Sequence, residues 1–251
     1  MTTSRRDFLK IAGVSALTFI SPVILRPARV EGKKTARELT AKRWAMAVDP
    51  AKCSVNCTDC IIACHTLHNV PDFGNPKDDV KWIWPESFAA VFPDNHHAYS
   101  GQTLQKMCMP VMCNHCANPP CVRVCPTGAT FQRPDGIVMM DYHRCIGCRL
   151  CMAACPYGAR SMNYRDPRPF IAKINPDYPT RAKGVVEKCN FCQERLAKGQ
   201  LPACVEACKQ KALVFGDVDD PRSEIRLLIG KRFNLLRRAH LGTAPQIYYL
   251  L

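Results

Sequence analysis

Hydrophobic positions along the chain gather into a few short segments separated by polar and proline-rich stretches. The first is the run Ile11 to Leu25, broken at Ser21-Pro22 and preceded by Ser4-Arg5-Arg6-Asp7-Phe8-Leu9-Lys10. An arginine pair just ahead of an apolar run reads as a twin-arginine export signal, a route that carries folded proteins. Residues 1–30 are therefore expected to be a targeting segment or a retained membrane anchor, although the run is short against the roughly 20 residues a spanning helix needs. Residues 31–43 read as a charged linker. Arg43 to Val48 is predicted to be a strand, and Phe131 with Ile137 to Met140 to be two short strands around the turn Arg133-Pro134-Asp135-Gly136. Ser223 is predicted to cap a helix running to about Leu236. The tail Ile247-Tyr248-Tyr249-Leu250-Leu251 is apolar enough to dock on this subunit or another. Segments 66–107 and 156–188, rich in Pro, Asn, Asp and aromatic residues, read as irregular loops that shield the interior and meet partners.

Composition changes this picture at one residue type. A chain of 251 residues with 47% hydrophobic content can build an ordinary core, but seventeen cysteines are not explained by one. Sixteen of them fall into four groups of four. These are Cys53-x3-Cys57-x2-Cys60-x3-Cys64, Cys113-x2-Cys116-x4-Cys121-x3-Cys125-Pro126, Cys145-x2-Cys148-x2-Cys151-x3-Cys155-Pro156 and Cys189-x2-Cys192-x11-Cys204-x3-Cys208. Exported chains ordinarily oxidise their cysteines to disulfides, but a disulfide framework has no reason to repeat such spacing. Zinc ribbons also use Cys-x2-Cys pairs, two per site, without a third cysteine at the same spacing. The net charge of +14 raises nucleic-acid binding. Scattered basic residues without an aromatic-interleaved stripe favour a solvated face or an acidic protein partner instead.

The third group matches the run by which bacterial ferredoxins hold two [4Fe-4S] clusters. Three closely spaced thiolates converge on one cluster and the fourth, before a proline, reaches the other. On that rule Cys113, Cys116, Cys121 and Cys155 hold one cluster, and Cys145, Cys148, Cys151 and Cys125 hold its partner. The outer groups pair in the same way, Cys53, Cys57 and Cys60 with Cys208, and Cys189, Cys192 and Cys204 with Cys64. Cys53 is the least secure ligand, because its gap is one residue longer than the pattern. Two smaller repeats accompany the cysteines: Asp49-x2-Lys52-Cys53 with Asp141-x2-Arg144-Cys145, and an alanine four residues after a last cysteine at Ala129, Ala159 and Ala212. The expected fold is α+β, two nested ferredoxin-like 2[4Fe-4S] modules with long irregular insertions behind an N-terminal signal or anchor helix. Residues 113–155 form the inner module, 44–112 with 156–216 the split outer one, and 217–251 a C-terminal helix and docking tail. Cys108 is left over as a buried free thiol. His65 and His68 are read as packed or hydrogen-bonded residues, with cluster tuning or quinone contact as the alternative. No catalytic residue, nucleotide-binding glycine fingerprint or haem-attachment Cys-x2-Cys-His is found.

With Asn118-Pro119-Pro120 in the second group and Cys145-Ile146-Gly147-Cys148-Arg149 in the third, residues 44–251 resemble the four-cluster iron-sulfur subunits of dimethyl sulfoxide, polysulfide and nitrite reductase systems. The twin-arginine start, the Cys53-x3-Cys57 spacing and Ala63-Cys64-His65-Thr66-Leu67-His68-Asn69-Val70-Pro71 are similar, more narrowly, to DsrO-type subunits of DsrMKJOP and heterodisulfide-reductase-like menaquinol-oxidising complexes. The resemblance implies an electron-transfer subunit with four [4Fe-4S] clusters at the extracytoplasmic (periplasmic) face of the cytoplasmic membrane, in metabolism linked to sulfate or sulfite reduction. It implies docking on an NrfD/DsrP-like integral membrane subunit that handles menaquinol, beside a DsrJ-like multihaem cytochrome c and other subunits of a DsrMKJOP-like complex, with no nucleic acid. Two further readings stand beside it, a soluble polyferredoxin carrier and the electron-transfer subunit of a molybdopterin reductase.

Overall fold

The computed structural model describes residues 37–251 apart from 55, 98 and 106. The twin-arginine segment lies outside the described residues. Among the described residues, no helix is long and apolar enough to cross a membrane.

The predicted strand forms at Trp44–Val48, and all of its residues are buried. Side chains alternate across a strand, so Trp44, Met46 and Val48 enter the main core while Ala45 and Ala47 face the other side, under Val218, Ile225 and Leu250. Small residues on that side let the helix Glu224–Lys231 approach closely. A Cβ on Gly216, in the adjacent strand, would already meet Ile225 at 3.1 Å. Trp44–Val48 pairs antiparallel with Leu213–Asp217 and parallel with Ile247–Leu250, and Asn234–Leu235 closes the far edge. The apolar tail therefore docks on this subunit, as an inner strand of a four-stranded sheet.

Ser223 caps its helix as predicted, its hydroxyl accepting from Arg226 N at 3.3 Å, but the helix ends at Lys231 rather than Leu236. The amide of Asn234 covers the carbonyls of Ile229 and Arg232 at 3.1 Å each, and Asn234–Leu235 then serves as the sheet edge. Strand pairing here overrides the helical preference of the sequence. The inner hairpin matches its prediction, with Thr130–Gln132 against Val138–Met140. Its turn is tied to the sheet by Trp44 N donating to Asp135 O at 3.0 Å.

The two insertions are more regular than expected. Ile83–Ser87 pairs with Cys108–Met112, and Ser161–Met162 with Val186–Glu187. Trp82, Ile83, Phe88, Val91 and Phe92 are all buried in the main core. Pro85 and Pro110 face each other in the first of these pairs, and prolines inside strands erase the usual strand signature. A fully buried ion pair within the second insertion, Arg181 to Glu187 at 2.5 Å, anchors the contacts to the first. Trp82 Nε1 also donates to Glu187, at 3.0 Å, and Arg181 donates to Asn69 O at 2.8 Å.

Candidate metal centres

The structure gathers the cysteines from distant segments. Cys53, Cys57, Cys60 and Cys208 line one cavity together with Pro110 and Leu213. Burial pushes the Cys60 thiol up to about 12, and the charges of Cys53, Cys208 and Cys57 push the same way. Burial likewise raises Cys64 well above the ordinary thiol value, reinforced by Cys189, Cys192 and Cys204. Cys116 is pushed up to about 12 by burial and by Cys113, with Cys121 and Cys155 also beside it. Around the fourth set, burial raises Cys151, which lies near Cys145. For Cys125, burial is outweighed by backbone N–H donors from Thr130, Thr127 and Ala129, and the thiol falls below its usual value. Cys148 is the one exposed cysteine of the seventeen.

These neighbourhoods also influence one another electrostatically in single file. Cys151 lies beside Cys121, Cys113 beside Cys189, and both Cys64 and Cys204 beside Cys60. Thiolates packed this closely raise each other's pKa, so an all-sulfur quartet calls for bound positive charge. Four such sets fit [4Fe-4S] clusters.

Local backbone explains the repeats. After Cys125, Cys155 and Cys208 the chain passes through left-handed residues, Gly128 (φ +65), Gly158 (φ +63) and Lys211 (φ +51). That twist turns the next N–H, of the repeated alanine, back onto the sulfur. Ala212 N donates to Cys208 Sγ at 3.2 Å, and Ala129 and Ala159 donate to Cys125 and Cys155. Cys64 has a different exit, because the helix Asp59–Leu67 continues through it. His68 takes the alanine's place there, its Nδ1 lying 3.7 Å from Cys64 Sγ and its Nε2 2.8 Å from Glu194. His68 is fully buried and stacked on Trp82. The Asp-x2-basic repeat closes two similar ion pairs, Lys52 to Asp49 at 3.7 Å and Arg144 to Asp141 at 3.3 Å.

Cys108 is half-buried rather than buried, and it hydrogen-bonds with Cys53. The sequence reading also missed Arg160, Glu194 and Thr243. Arg160 was findable, since it directly follows the repeated alanine, where Thr130 and Leu213 stand in the other two exits. Thr243 belongs to a C-terminal segment that lies along the second cysteine group. Ala117 N donates to Ala244 O at 2.8 Å and Asn118 N to Thr243 O at 3.0 Å, while the Thr243 hydroxyl meets Tyr157 and Cys116.

A family model described as a 4Fe-4S dicluster domain matches residues 104–168 and 174–218. The chain is 41% identical, across 98% of its length and 97% of the relative's, to the Hdr-like menaquinol oxidoreductase iron-sulfur subunit 1 of Archaeoglobus fulgidus. It belongs to the ferredoxin-like iron-sulfur subunits of respiratory oxidoreductases. A tetrathionate reductase subunit of Salmonella typhimurium is 34% identical across 100% of this chain and 89% of its own. The menaquinone reductase iron-sulfur cluster-binding subunit of Nitratidesulfovibrio vulgaris is 34% identical across 83% of this chain and 88% of its own. This iron-sulfur subunit transfers electrons within a membrane-bound oxidoreductase complex, and its cysteines are consistent with four [4Fe-4S] clusters.

Proposed function

We propose that the subunit relays electrons through four [4Fe-4S] clusters between a quinone-reactive NrfD/DsrP-like membrane subunit and further redox subunits. The ligand sets, in spatial order, are Cys125 with Cys145, Cys148 and Cys151; Cys113, Cys116 and Cys121 with Cys155; Cys64 with Cys189, Cys192 and Cys204; and Cys53, Cys57 and Cys60 with Cys208. On this reading residues 113–155 are an inner ferredoxin-like module nested in an outer one made of 44–112 and 156–216, with 217–251 closing the sheet. The observation that carries it is the single file of thiol neighbourhoods, which runs from Cys151 through Cys121, Cys113 and Cys189 to Cys64 and Cys60. Bound clusters would supply the one-electron carriage. The chain's own residues fix the spacing, exclude water and aim N–H donors at sulfur.

Both ends of the file reach the surface beside apolar side chains. Ile146 and Leu150 are exposed around Cys148, and Ile62 is exposed two residues after Cys60. Such patches suit partner subunits at either terminus of the relay. The Archaeoglobus relative supports a menaquinol-linked complex. The motif resemblance extends the proposal to the DsrMKJOP type, with a DsrJ-like multihaem cytochrome c, in sulfate- or sulfite-linked metabolism. The segment Ser4 to Lys10 supports twin-arginine export to the outer face of the membrane. The full-length likeness to the Salmonella tetrathionate reductase protein supports a second reading, service to a catalytic reductase subunit, for which the family resemblance implies a molybdopterin enzyme.

Isolation of the native membrane complex tests both readings. Iron and sulfide analysis should give four cubane clusters in this subunit, and subunit identification should find an integral quinone-reactive protein with a multihaem cytochrome. Copurification with a molybdopterin subunit instead would decide for the second reading.

A further inference from the structure

We propose that Arg160 ties the two clusters of the inner module together, lending one fixed positive charge to a ligand of each and so raising both reduction potentials. The inference rests on the ligand sets proposed above. Arg160 is buried, yet burial is not balanced by a carboxylate: among the described residues no acidic side chain pairs with it. The anions that face it are sulfur. Its Nη2 donates to Cys121 Sγ at 3.0 Å, and its charge also acts on Cys151 nearby. Cys121 and Cys151 belong to different clusters in the proposed sets, so one guanidinium spans both. Its Nη1 donates to Thr130 Oγ1 at 3.1 Å, and the Thr130 N–H donates in turn to Cys125 Sγ at 3.4 Å. The same side chain is thereby fixed against ligands on both sides of the gap.

Guanidinium suits this position for two reasons. Its charge is not lost at any accessible pH, and its planar fork can serve two acceptors at once, whereas an ammonium is a point charge. Reduction adds a negative charge to a cluster, and a cation hydrogen-bonded to its ligand in a low-dielectric interior stabilises that added charge. Since both clusters gain, the residue also softens the repulsion between them when both are reduced. A merely structural clamp would hold Thr130 and the 130–140 hairpin without moving any potential.

The test compares Arg160→Met and Arg160→Lys with the wild type, in the native complex, by iron content per subunit and by a redox titration followed by EPR. Arg160→Met should keep the wild-type iron and lower two of the four midpoints, each by at least tenfold in the reduction equilibrium, or about 59 mV for a one-electron couple. The other two midpoints should not move. Arg160→Lys retains charge without the fork and should lower one of the same two midpoints while leaving the second near wild type. Should Arg160→Met lose iron, the lysine variant alone decides. Full iron with four unmoved midpoints in whichever variant loads would overturn the role of Arg160 while leaving the ligand sets standing. A wild-type subunit lacking either inner cluster would overturn the sets, and the inference with them.

Discussion

Left-handed backbone positions separate conformational strain from steric exclusion at single residues. Gly158 has φ +63 and open space where a Cβ would go, whereas Gly147 has φ +67 and a Cβ there would lie 2.3 Å from Gly184 O. Gly158→Ala should therefore cost only the left-handed penalty, about 1–2 kcal/mol in a thermal or denaturant melt, with iron content unchanged. Gly147→Ala must displace the loop that carries Cys145 and Cys148, and should lose about a quarter of the bound iron by colorimetric assay. Retention of full iron in that variant would remove the cysteines of this loop from the ligand set. At this scale the sequence was legible where it repeats. Alanine after Cys125, Cys155 and Cys208 announced a shared geometry before any sulfur contact was visible. Residues whose partners are remote gave no such cue: Glu194 reaches His68 across 126 positions, and Thr243 reaches Tyr157 across 86.

Secondary-structure elements carry a second set of expectations. Ser223→Ala removes a cap whose hydroxyl also donates to Asp220 O at 2.9 Å. It should destabilise by about 1 kcal/mol, a fall of a few degrees in melting temperature for a chain of this size, with cluster spectra unchanged. Glu187→Gln breaks a fully buried ion pair and leaves Arg181 without its counter-charge. Such a loss costs about 3–5 kcal/mol, so the variant should melt far below the Ser223→Ala protein. Equal melting temperatures would mean that the insertions are not anchored through this pair. The helix start at Ser223, the hairpin around Asp135-Gly136 and the strand at Trp44–Val48 were legible from local chemistry. The helix end was not, because Asn234–Leu235 is claimed by a strand that follows it in sequence. Nor were the strands with Pro85 and Pro110, since their stability comes from burial of Trp82 and Ile83 rather than from strand-forming residues.

For the whole molecule, the sulfur sets do structural as well as electronic work. Three of the helices next to the ligands, Pro120–Arg123, Leu150–Ala153 and Gln193–Leu196, are about one turn each. Helices this short do not persist in water by themselves, so bound iron is needed to hold them. Removing iron with a chelator under reducing conditions should abolish the cooperative melt and the near-ultraviolet circular dichroism of the folded chain. An iron-free chain that kept both would show that the sheet and the main core suffice. Cysteine grouping made the number of clusters readable in advance, but the single-file order of the thiol neighbourhoods was not. That order depends on which sides of the nested segments meet, and only three-dimensional packing sets it. The sheet, meanwhile, joins Trp44–Val48 to Leu213–Asp217 and Ile247–Leu250. On the ribosome the early strand can pair with Leu213–Asp217 first, but its other edge stays bare until residues 247–250 have been translated. By then Cys208, the final thiol, has already emerged. Prematurely terminated chains would thus keep an open edge that chaperones and proteases can recognise.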